Sequence, residues 1–272
     1  MSGVFEMFEY AFMTKALIAG VFVSLSAALI GVPLVLRKNA MIGDGLSHVA
    51  FSAFAIATVA GIAPLPFVIP VVIIGSFLLL WIEKSRKVYG DAAVAVLSAS
   101  SLAIGTIVVS VSKGVNIDLN SYLFGSVLAI GETEVVLSAV LCAVVVGVYL
   151  VFYNRIFSLT FDEEFSKSIG VKTELFQVLF SVVCSVVIVL GMRLVGALLV
   201  SSLIIFPTLI ATSLAKSFRG VVKTAAAVTV LNFVVGLSLS FLFATPTGAT
   251  IVAVNLVGFL ITRFGELRPG LS

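Results

Sequence analysis

The chain alternates long apolar runs with short polar connections. Nine runs approach the roughly 20 residues that a helix needs to cross a bilayer; they fall at about 13–36, 41–60, 64–82, 91–112, 133–153, 174–192, 194–214, 221–243 and 248–263. The second and last runs are weaker or shorter, so the pattern predicts eight or nine transmembrane helices. The connections are too short for a soluble domain, and residues 1–272 are therefore predicted to form one membrane domain.

Composition supports this class. Hydrophobic residues make up 61% of the chain and charged residues 11%, and the mean hydropathy is +1.27. Soluble domains are about half apolar and a quarter charged. The fold class is thus an all-α polytopic membrane protein. The net charge of +3 comes from basic loops beside a membrane and indicates no nucleic-acid partner.

Basic residues occur in alternate connections, which orients the chain. The clusters are Arg37 and Lys38; Lys84, Arg86 and Lys87; Arg155, Lys167 and Lys172; Lys216, Arg219 and Lys223; Arg263 and Arg268. The positive-inside rule makes these connections cytoplasmic. The connection after Lys113 then faces outside, where Asp118, Glu132 and Glu134 either attract cations or are ordinary loop charges.

Small residues recur at four-residue spacing in several spans, which lets helices approach closely in lipid. The stripes are Ala16-Gly20-Ser24-Ala28, Ala53-Ala57-Gly61 and Ala95-Ala99-Ala103. We expect them to be helix-packing faces. Asn232 and Asn255, within spans, are predicted to form interhelical hydrogen bonds. Arg193, at a helix junction, is either an interfacial anchor, which we favour, or the partner of an acid.

The segment "MIGDGLSHVAFSAFA" places Asp44 and the chain's single histidine, His48, inside an apolar span. Four-residue spacing puts both side chains on one helix face, which Ser52 continues. Counted as helix from Lys38, Asp44 would lie about 9 Å deep and His48 about 15 Å deep. Ionisable groups at such depth are costly and indicate function, although a satisfied pair that only holds helices together is the alternative.

Carboxylate and imidazole are ligands for a first-row cation such as Zn²⁺ or Mn²⁺. Two ligands make a poor site, but two copies of the chain about a two-fold axis would supply four. Gly43 and Gly45, on either side of Asp44, are predicted to let the helix loosen or bend there. A transported metal needs neutral imidazole, so uptake should weaken at acidic pH.

The segment "FDEEFSKSIGVKTELFQ" is the longest polar interruption and predicts a short helix outside the membrane. Asp162 is a suitable N-cap, Glu163 and Glu164 suit the positive end of the helix, and Gly170 can end it. Phe165 and Ile169 form a small apolar face, for a membrane surface or for a groove on a partner. The dipeptide Gly-Lys is absent from the chain, so no phosphate-binding loop exists and ATP-driven transport would need an ATPase on another chain.

Five segments in this order resemble the permease subunits of bacterial zinc/manganese-type ABC transporters. They are "ALIAGVFVSLSAALIGVPLVLRKNAMIGDGLSHVAFSAFA", "YLFGSVLAI", "FDEEFSKSIGV", "MRLVGALLVSSLIIFPTLIA" and "TPTGATIVAVNLVGFLI". The second departs from the family pattern, because Ser126 replaces an acid. The fourth is similar to a family helix that ends in a proline.

The resemblance implies a homodimeric permease in the bacterial plasma membrane, with the helical architecture of an ABC importer. Two cytoplasmic ATPase subunits and an extracytoplasmic metal-binding protein would complete it. Asp44 and His48 would match the family's metal-gating or metal-coordinating positions, and residues 161–170 would couple to the ATPase. No permanently bound cofactor is expected. The metal is the substrate, and ATP acts only through the partner, so this chain would not be an enzyme.

The Asp44–His48 pair leaves two other functions open. An ion-coupled secondary transporter could use Asp44 and His48 as a proton relay, and it would work without a second protein. An importer of siderophores or corrinoids would carry a bulky ligand, so its path should not converge on one small Asp/His pair.

Overall fold

The computed structural model describes residues 7–84, 90–112, 125, 130–168, 170 and 172–266. After a short 3-10 turn at Met7–Glu9, every regular element in these ranges is a helix. The helices are α1 (Ala11–Leu36), α2 (Ile42–Val59), α3 (Pro64–Lys84), α4 (Gly90–Val111), α5 (Glu132–Phe161), α6 (Glu163–Ser168), α7 (Thr173–Val195), α8 (Ala197–Leu214), α9 (Phe218–Phe243) and α10 (Thr247–Glu266). The prediction of an all-helical membrane protein is confirmed.

Each of the nine predicted spans corresponds to one long helix. Eight are long and apolar enough to cross a membrane, and α8 contributes a shorter apolar stretch, Leu199–Leu214. The largest boundary error is in α5, which continues eight residues beyond the predicted end at 153, after a kink at Phe152. The apolar run is interrupted there by Asn154 and Arg155. The helix nevertheless continues, because the side chains of Ile156 and Leu159 are buried and their burial stabilises the extra helical turns.

Four helices form the inside of the protomer, and the others surround them. In the apolar stretch of each of the helices α1, α2 and α7, between 61% and 72% of the residues are buried. The corresponding share is 17% to 33% in α3, α4, α5, α9 and α10. Helix α8 belongs to the inner group, because Leu199, Val200, Leu203 and Ile204 are fully buried. Helix α2 packs against α3, α4, α7 and α8. The predicted metal helix therefore lies within the helix bundle rather than on its periphery.

One of the three small-residue stripes is buried as predicted, and a second is buried in part. The stripe of α1 is buried throughout, and Ala53 and Ala57 are buried in α2, whereas Gly61 is exposed and follows the end of that helix. The third prediction is wrong within the protomer, because Ala95, Ala99 and Ala103 of α4 are exposed. Helix α4 packs instead through a face that contains Val94, Ser101 and Gly105, since its neighbours cover only that side.

Ion pairs between distant segments agree with the predicted topology. Arg37 Nη2 lies 2.9 Å from Glu163 Oε2 at the end of the bundle assigned to the cytoplasm. At the opposite end, Lys15 Nζ lies 3.2 Å from Glu132 Oε1, and Arg193 Nη2 lies 2.9 Å from Glu134 Oε1. Arg193 is thus an acid's partner, the alternative to the favoured anchor role. Glu132 and Glu134 are both paired, whereas Asp118 and Ser126 lie outside the described residues.

Candidate functional site

Asp44 and His48 lie together on one face of α2, as the spacing predicts. His48 Nε2 is 3.6 Å from Asp44 Oδ2, and the His48 and Asp44 side chains are 24% and 36% exposed. This separation is longer than a good hydrogen bond between a ring nitrogen and a carboxylate oxygen. The two groups are therefore close enough to bind one ion and remain partly open on the surface of the protomer.

The depth predicted for the pair is wrong, because residues 37–41 form a turn rather than the first turns of a helix. Lys38 has a positive φ of 62°, and the Asn39 N–H donates back to Leu34 O over 2.8 Å. Helix α2 begins at Ile42, so Asp44 lies about 3 Å and His48 about 9 Å along its axis from that start. The pair occupies the first half of α2, towards the end that carries Arg37.

Gly43 and Gly45 do not loosen the helix, contrary to the prediction. Helix α2 is continuous from Ile42 to Val59. A Cβ added at Gly45 would lie 2.7 Å from Cγ1 of Val94, and one at Gly43 would lie 2.9 Å from Cδ1 of Ile204. The two glycines thus let α4 and α8 approach α2 on either side of Asp44, which fixes the backbone that carries the carboxylate.

Helix α8 supplies a third polar group that sequence reasoning missed. The Ser201 hydroxyl lies 3.4 Å from Asp44 Oδ1 and also 3.4 Å from Ala197 O in its own helix. It can donate to either oxygen. Asp44 therefore has one oxygen facing His48 and the other facing Ser201. Because 157 positions separate Asp44 from Ser201, no local spacing could have identified this contact.

One protomer brings together few metal ligands. Across the described ranges, no group of three or more His, Cys, Asp or Glu side chains could hold a metal ion. Ser52, the predicted continuation of the face, is only 6% exposed. Its Cα would lie 3.0 Å from a Cβ added at Gly105 of α4, so α2 is in close contact with α4 at this level. The open part of the site therefore consists of Asp44, His48 and Ser201.

The short helix predicted within the longest polar interruption is present as α6. The Phe165 N–H donates to Asp162 Oδ1 over 2.8 Å, so Asp162 is the N-cap. Gly170 has a φ of 80°, and its N–H donates to Lys167 O over 3.1 Å, which ends the turn after α6. Glu164 is exposed, and Phe165 is 56% exposed. Ile169, the other member of the predicted apolar face, lies outside the described residues.

Glu163 connects α6 to the end of α1 as well as to its own helix. Its Oε2 accepts from Arg37 at 2.9 Å, and its Oε1 lies 2.8 Å from Lys167 Nζ. Partial burial opposes ionisation of Glu163, but the hydrogen bond from Lys167 and the charges of Lys167 and Arg37 outweigh it and lower the pKa of this carboxyl. The same contact with Glu163 raises the pKa of Lys167. Both shifts favour the charged forms of Glu163 and Lys167.

A cavity of about 650 Å³ lies beside this ion pair. Its apolar wall comes from α1, α2, α3, α5 and α7 and includes Leu34, Leu46, Leu79, Ile156 and Phe180. Arg37, Glu163 and Lys167 also line it. The cavity thus borders both α6 and the turn between α1 and α2.

Comparison with known proteins gives consistent results in sequence and structure. The chain matches the family described as "ABC 3 transport family" over residues 9–265. It is 29% identical over 262 residues to the high-affinity zinc uptake system membrane protein ZnuB of Haemophilus influenzae, covering 96% of this chain and all of that protein. It is 26% identical over 256 residues to the manganese import system permease protein ScaB of Streptococcus gordonii, covering 94% of this chain and 92% of that protein.

The fold is also that of a solved structure. A chain of PsaBC from Streptococcus pneumoniae, in complex with Fab, superposes with a TM-score of 0.85 at 24% identity, covering 98% of each chain. The bacterial relatives and the apolar helices establish a multi-pass protein of the bacterial plasma membrane. Because the family match spans nearly the whole sequence, the chain belongs to the ABC 3 transport family, as a membrane-spanning permease whose ATPase is a separate chain.

Proposed function

We propose that the chain is the permease subunit of an ATP-driven importer of a divalent transition metal, either zinc, manganese or iron. Two relatives that it matches over more than nine-tenths of its length are named for zinc uptake and manganese import. The open Asp44–His48 pair offers the carboxylate oxygen and imidazole nitrogen that such cations accept. These donors serve all three metals, so they define the class of cation and do not select one metal within it.

The observation that carries this proposal is that the pair is both close and incomplete. His48 and Asp44 come within 3.6 Å of each other and are 24% and 36% exposed. A second copy of the chain, related by a two-fold axis, would bring a second pair and raise the number of ligands from two to four. Four ligands suit tetrahedral Zn²⁺, and added water would suit Mn²⁺. The proposed assembly is therefore a homodimer with the site between its protomers.

In the proposed cycle, an extracytoplasmic metal-binding protein delivers the cation, and the paired Asp44 and His48 side chains coordinate and gate it. The site must bind weakly enough for the ion to leave again. Ser52 would line the path only in a conformation in which α2 separates from α4 at Gly105. ATP binding and hydrolysis in the partner subunits would switch the path between its outward-open and inward-open forms.

The segment 161–170 is the proposed docking element for two cytoplasmic ATPase subunits. Asp162 caps the helix, and Phe165 presents an unburied ring beside Glu164. Glu163 anchors the segment to α1, and Gly170 ends its turn. Ile169 would extend the apolar face. An exposed aromatic ring on a short helix is typical of a partner contact.

The test is ATP-dependent uptake by permease and ATPase reconstituted in vesicles, with Zn²⁺, Mn²⁺ and Fe²⁺ supplied in turn. Uptake of at least one cation should require both ATP and Asp44, so Asp44→Ala should abolish it. Asp91→Ala is the matched control, because Asp91 also lies in the first turn of a long helix at the same end but is exposed and distant from His48 in sequence. Normal uptake by Asp44→Ala would exclude a role for the pair.

The same vesicles test the secondary-transporter alternative, which family membership does not favour. The permease alone, with an imposed proton gradient and no ATPase, should take up no metal. Gradient-driven uptake by the permease alone would instead support a proton relay through Asp44 and His48.

A further inference from the structure

The ion pair between Arg37 and Glu163 joins the coupling helix to the start of the metal helix. Arg37 is the C-cap residue of α1, and Glu163 is the first residue of α6. Their side chains are 26% and 27% exposed and 2.9 Å apart. Five residues after Arg37 the chain enters α2, and two residues later it reaches Asp44. The contact therefore connects two segments that the proposed function assigns to different tasks.

We propose that the Arg37–Glu163 ion pair is the positioning link through which movement of α6 displaces the α1–α2 turn and thereby Asp44 and His48. This inference rests on the proposed function. It makes Arg37 a positioning residue for Asp44 and His48. It also gives the charge of Glu163 at the start of α6 a task other than docking, because Glu163 pairs with Arg37 at the end of α1.

The turn that follows Arg37 is stiff enough to carry such a displacement. The Arg37 N–H donates to Pro33 O over 3.0 Å, and the Asn39 N–H donates to Leu34 O over 2.8 Å. The Ile42 N–H donates to Asn39 O over 3.2 Å, which joins the turn to the first residue of α2. A chain held by successive backbone hydrogen bonds moves as a unit, so a force on Arg37 reaches α2.

The cavity gives α6 room to move and makes the ion pair important. About 650 Å³ of space lies beside Arg37 and Glu163, in a region where closely packed side chains would otherwise transmit movement. Helix α6 itself packs against α5 and α7. A charge-assisted bond is roughly twice as strong as a neutral one, so beside this space it is a firm direct contact between α6 and the end of α1.

Lys167 differs from Arg37 in where its contact with Glu163 lies. It also pairs with Glu163, over 2.8 Å, but four residues further along the same helix. A contact within α6 moves with α6 and cannot transmit its displacement to α1. Removing Lys167 and removing Arg37 both take one cation away from Glu163, yet only the second breaks the connection between elements.

The experiment compares single and double charge reversals in the reconstituted permease–ATPase complex. The quantity measured is the number of metal ions transported per ATP hydrolysed, with the metal cation found to support uptake. Arg37→Glu and Glu163→Arg should each lower this ratio about fivefold, the size expected for loss of one partly buried ion pair. The double variant should restore it to within about twofold, because the pair re-forms with reversed polarity.

Two controls separate transmission from stability. Lys15→Gln and Lys15→Glu should leave the ratio unchanged, because Lys15 pairs with Glu132 at the opposite end of the bundle. A purely structural role would lower transport and ATP hydrolysis in proportion and so leave the ratio constant. Should Arg37→Glu fail to assemble, Arg37→Gln removes the charge without reversal and should lower the ratio in the same direction.

The proposal is overturned if the ratio for Arg37→Gln equals that of the Lys15→Gln control, or if the double reversal is no better than either single one. Its failure is distinct from failure of the proposed function. If only the ion-pair proposal fails, uptake still depends on Asp44 and ATP, but the ratio does not change when Arg37 is substituted. If the proposed function fails, Asp44→Ala transports metal normally, regardless of the Arg37 variants.

Discussion

Two polar clusters lie within the membrane-spanning helices, and they differ in how completely their hydrogen-bonding groups are used. In the first, Asn232 Nδ2 donates to Asn255 Oδ1 over 2.8 Å, and Asn255 Nδ2 donates to Ser202 Oγ over 3.3 Å. These side chains are between 0% and 6% exposed. In the second, Asp44 and His48 are 3.6 Å apart and substantially more exposed.

The difference separates a structural cluster from a functional one. The amide cluster connects α8, α9 and α10 and satisfies its groups internally, as buried polar groups ordinarily do. The Asp44–His48 pair has long internal contacts and retains lone pairs for something else. Both clusters would look alike by hydropathy, because each interrupts an apolar run. Geometry and exposure distinguish them.

The substitution His48→Leu should have the largest effect. Uptake should fall by more than about 100-fold, because the proposed metal ligand is lost and even groups that only support a ligand are worth 10- to 100-fold in metal affinity. Stability should not fall, since leucine at this partly exposed position leaves no buried polar group without a partner. Metal uptake in vesicles and the thermal unfolding midpoint in detergent measure the two effects. An equal loss of stability and uptake would place His48 with the structural cluster.

Phe165→Asp should also remove uptake, but for a different reason. A charged side chain on the exposed apolar face of α6 should weaken ATPase association at least about tenfold, because burial of a phenylalanine ring is lost. The Asp44–His48 pair is untouched, so metal binding should persist. Copurification of the ATPase is the measurement, with Phe264→Asp, which replaces another exposed phenylalanine near the same end, as control. Unchanged copurification would refute the docking role.

Acidic pH should lower uptake several-fold, because protons compete with the cation for the imidazole of His48. The Arg37–Glu163 ion pair should not contribute to this decline in uptake. The pKa of Glu163 lies below the ordinary carboxyl range. The stability that ionised Glu163 contributes is therefore fully present above that range and is lost only as pH falls through the lowered pKa. Wild type and Glu163→Gln should therefore show the same decline between neutral and mildly acidic pH. An uptake rate that stays flat, with binding limiting, would contradict the metal role of the pair.

Much of the fold could be predicted from hydropathy because a bilayer demands long apolar helices whose backbone bonds are internal. All nine spans correspond to helices, and α5 is the largest boundary error. The packing face of α4 was not predictable in this way. In lipid, Ala95 and Val94 are both tolerated on either side of a helix, so small-residue spacing alone does not reveal which side has a neighbour.

Only the part of the site that lies on a single helix could be predicted from the sequence. Four-residue spacing placed Asp44 and His48 together, but it could not supply Ser201 or the Arg37–Glu163 pair, whose partners are more than 120 positions apart. The prediction for Gly43 and Gly45 failed because glycine permits either a bend or close packing, and only the positions of Val94 and Ile204 decide between them. Long-range contacts require the folded arrangement.

Asn255→Ala tests the structural cluster. Asn232 and Ser202 would each lose a partner, and hydrogen bonds between membrane helices are worth about 1 kcal/mol, so the free energy of unfolding should fall by about that amount. Uptake per folded molecule should stay normal. Unfolding in detergent and uptake normalised to folded protein measure the two. Loss of uptake without loss of stability would give the amide cluster a direct role in the path.

The smallest effect is expected for Ser201→Ala. Ser201 contacts the carboxylate of Asp44 and also an acceptor in its own helix, so it shares a feature with each cluster. The Ser201 hydroxyl is 3.4 Å from Asp44 Oδ1 and equally far from its own-helix acceptor, so its bond to the carboxylate is weak and replaceable. We expect stability to stay unchanged and the metal concentration for half-maximal uptake to rise about two- to fivefold, because one weak hydrogen bond orients the carboxylate. The neighbouring Ser202→Ala should show the opposite pattern, with lower stability and unchanged metal dependence. If both serine variants behave alike, exposure and contact length do not distinguish the metal site from the helix-packing network.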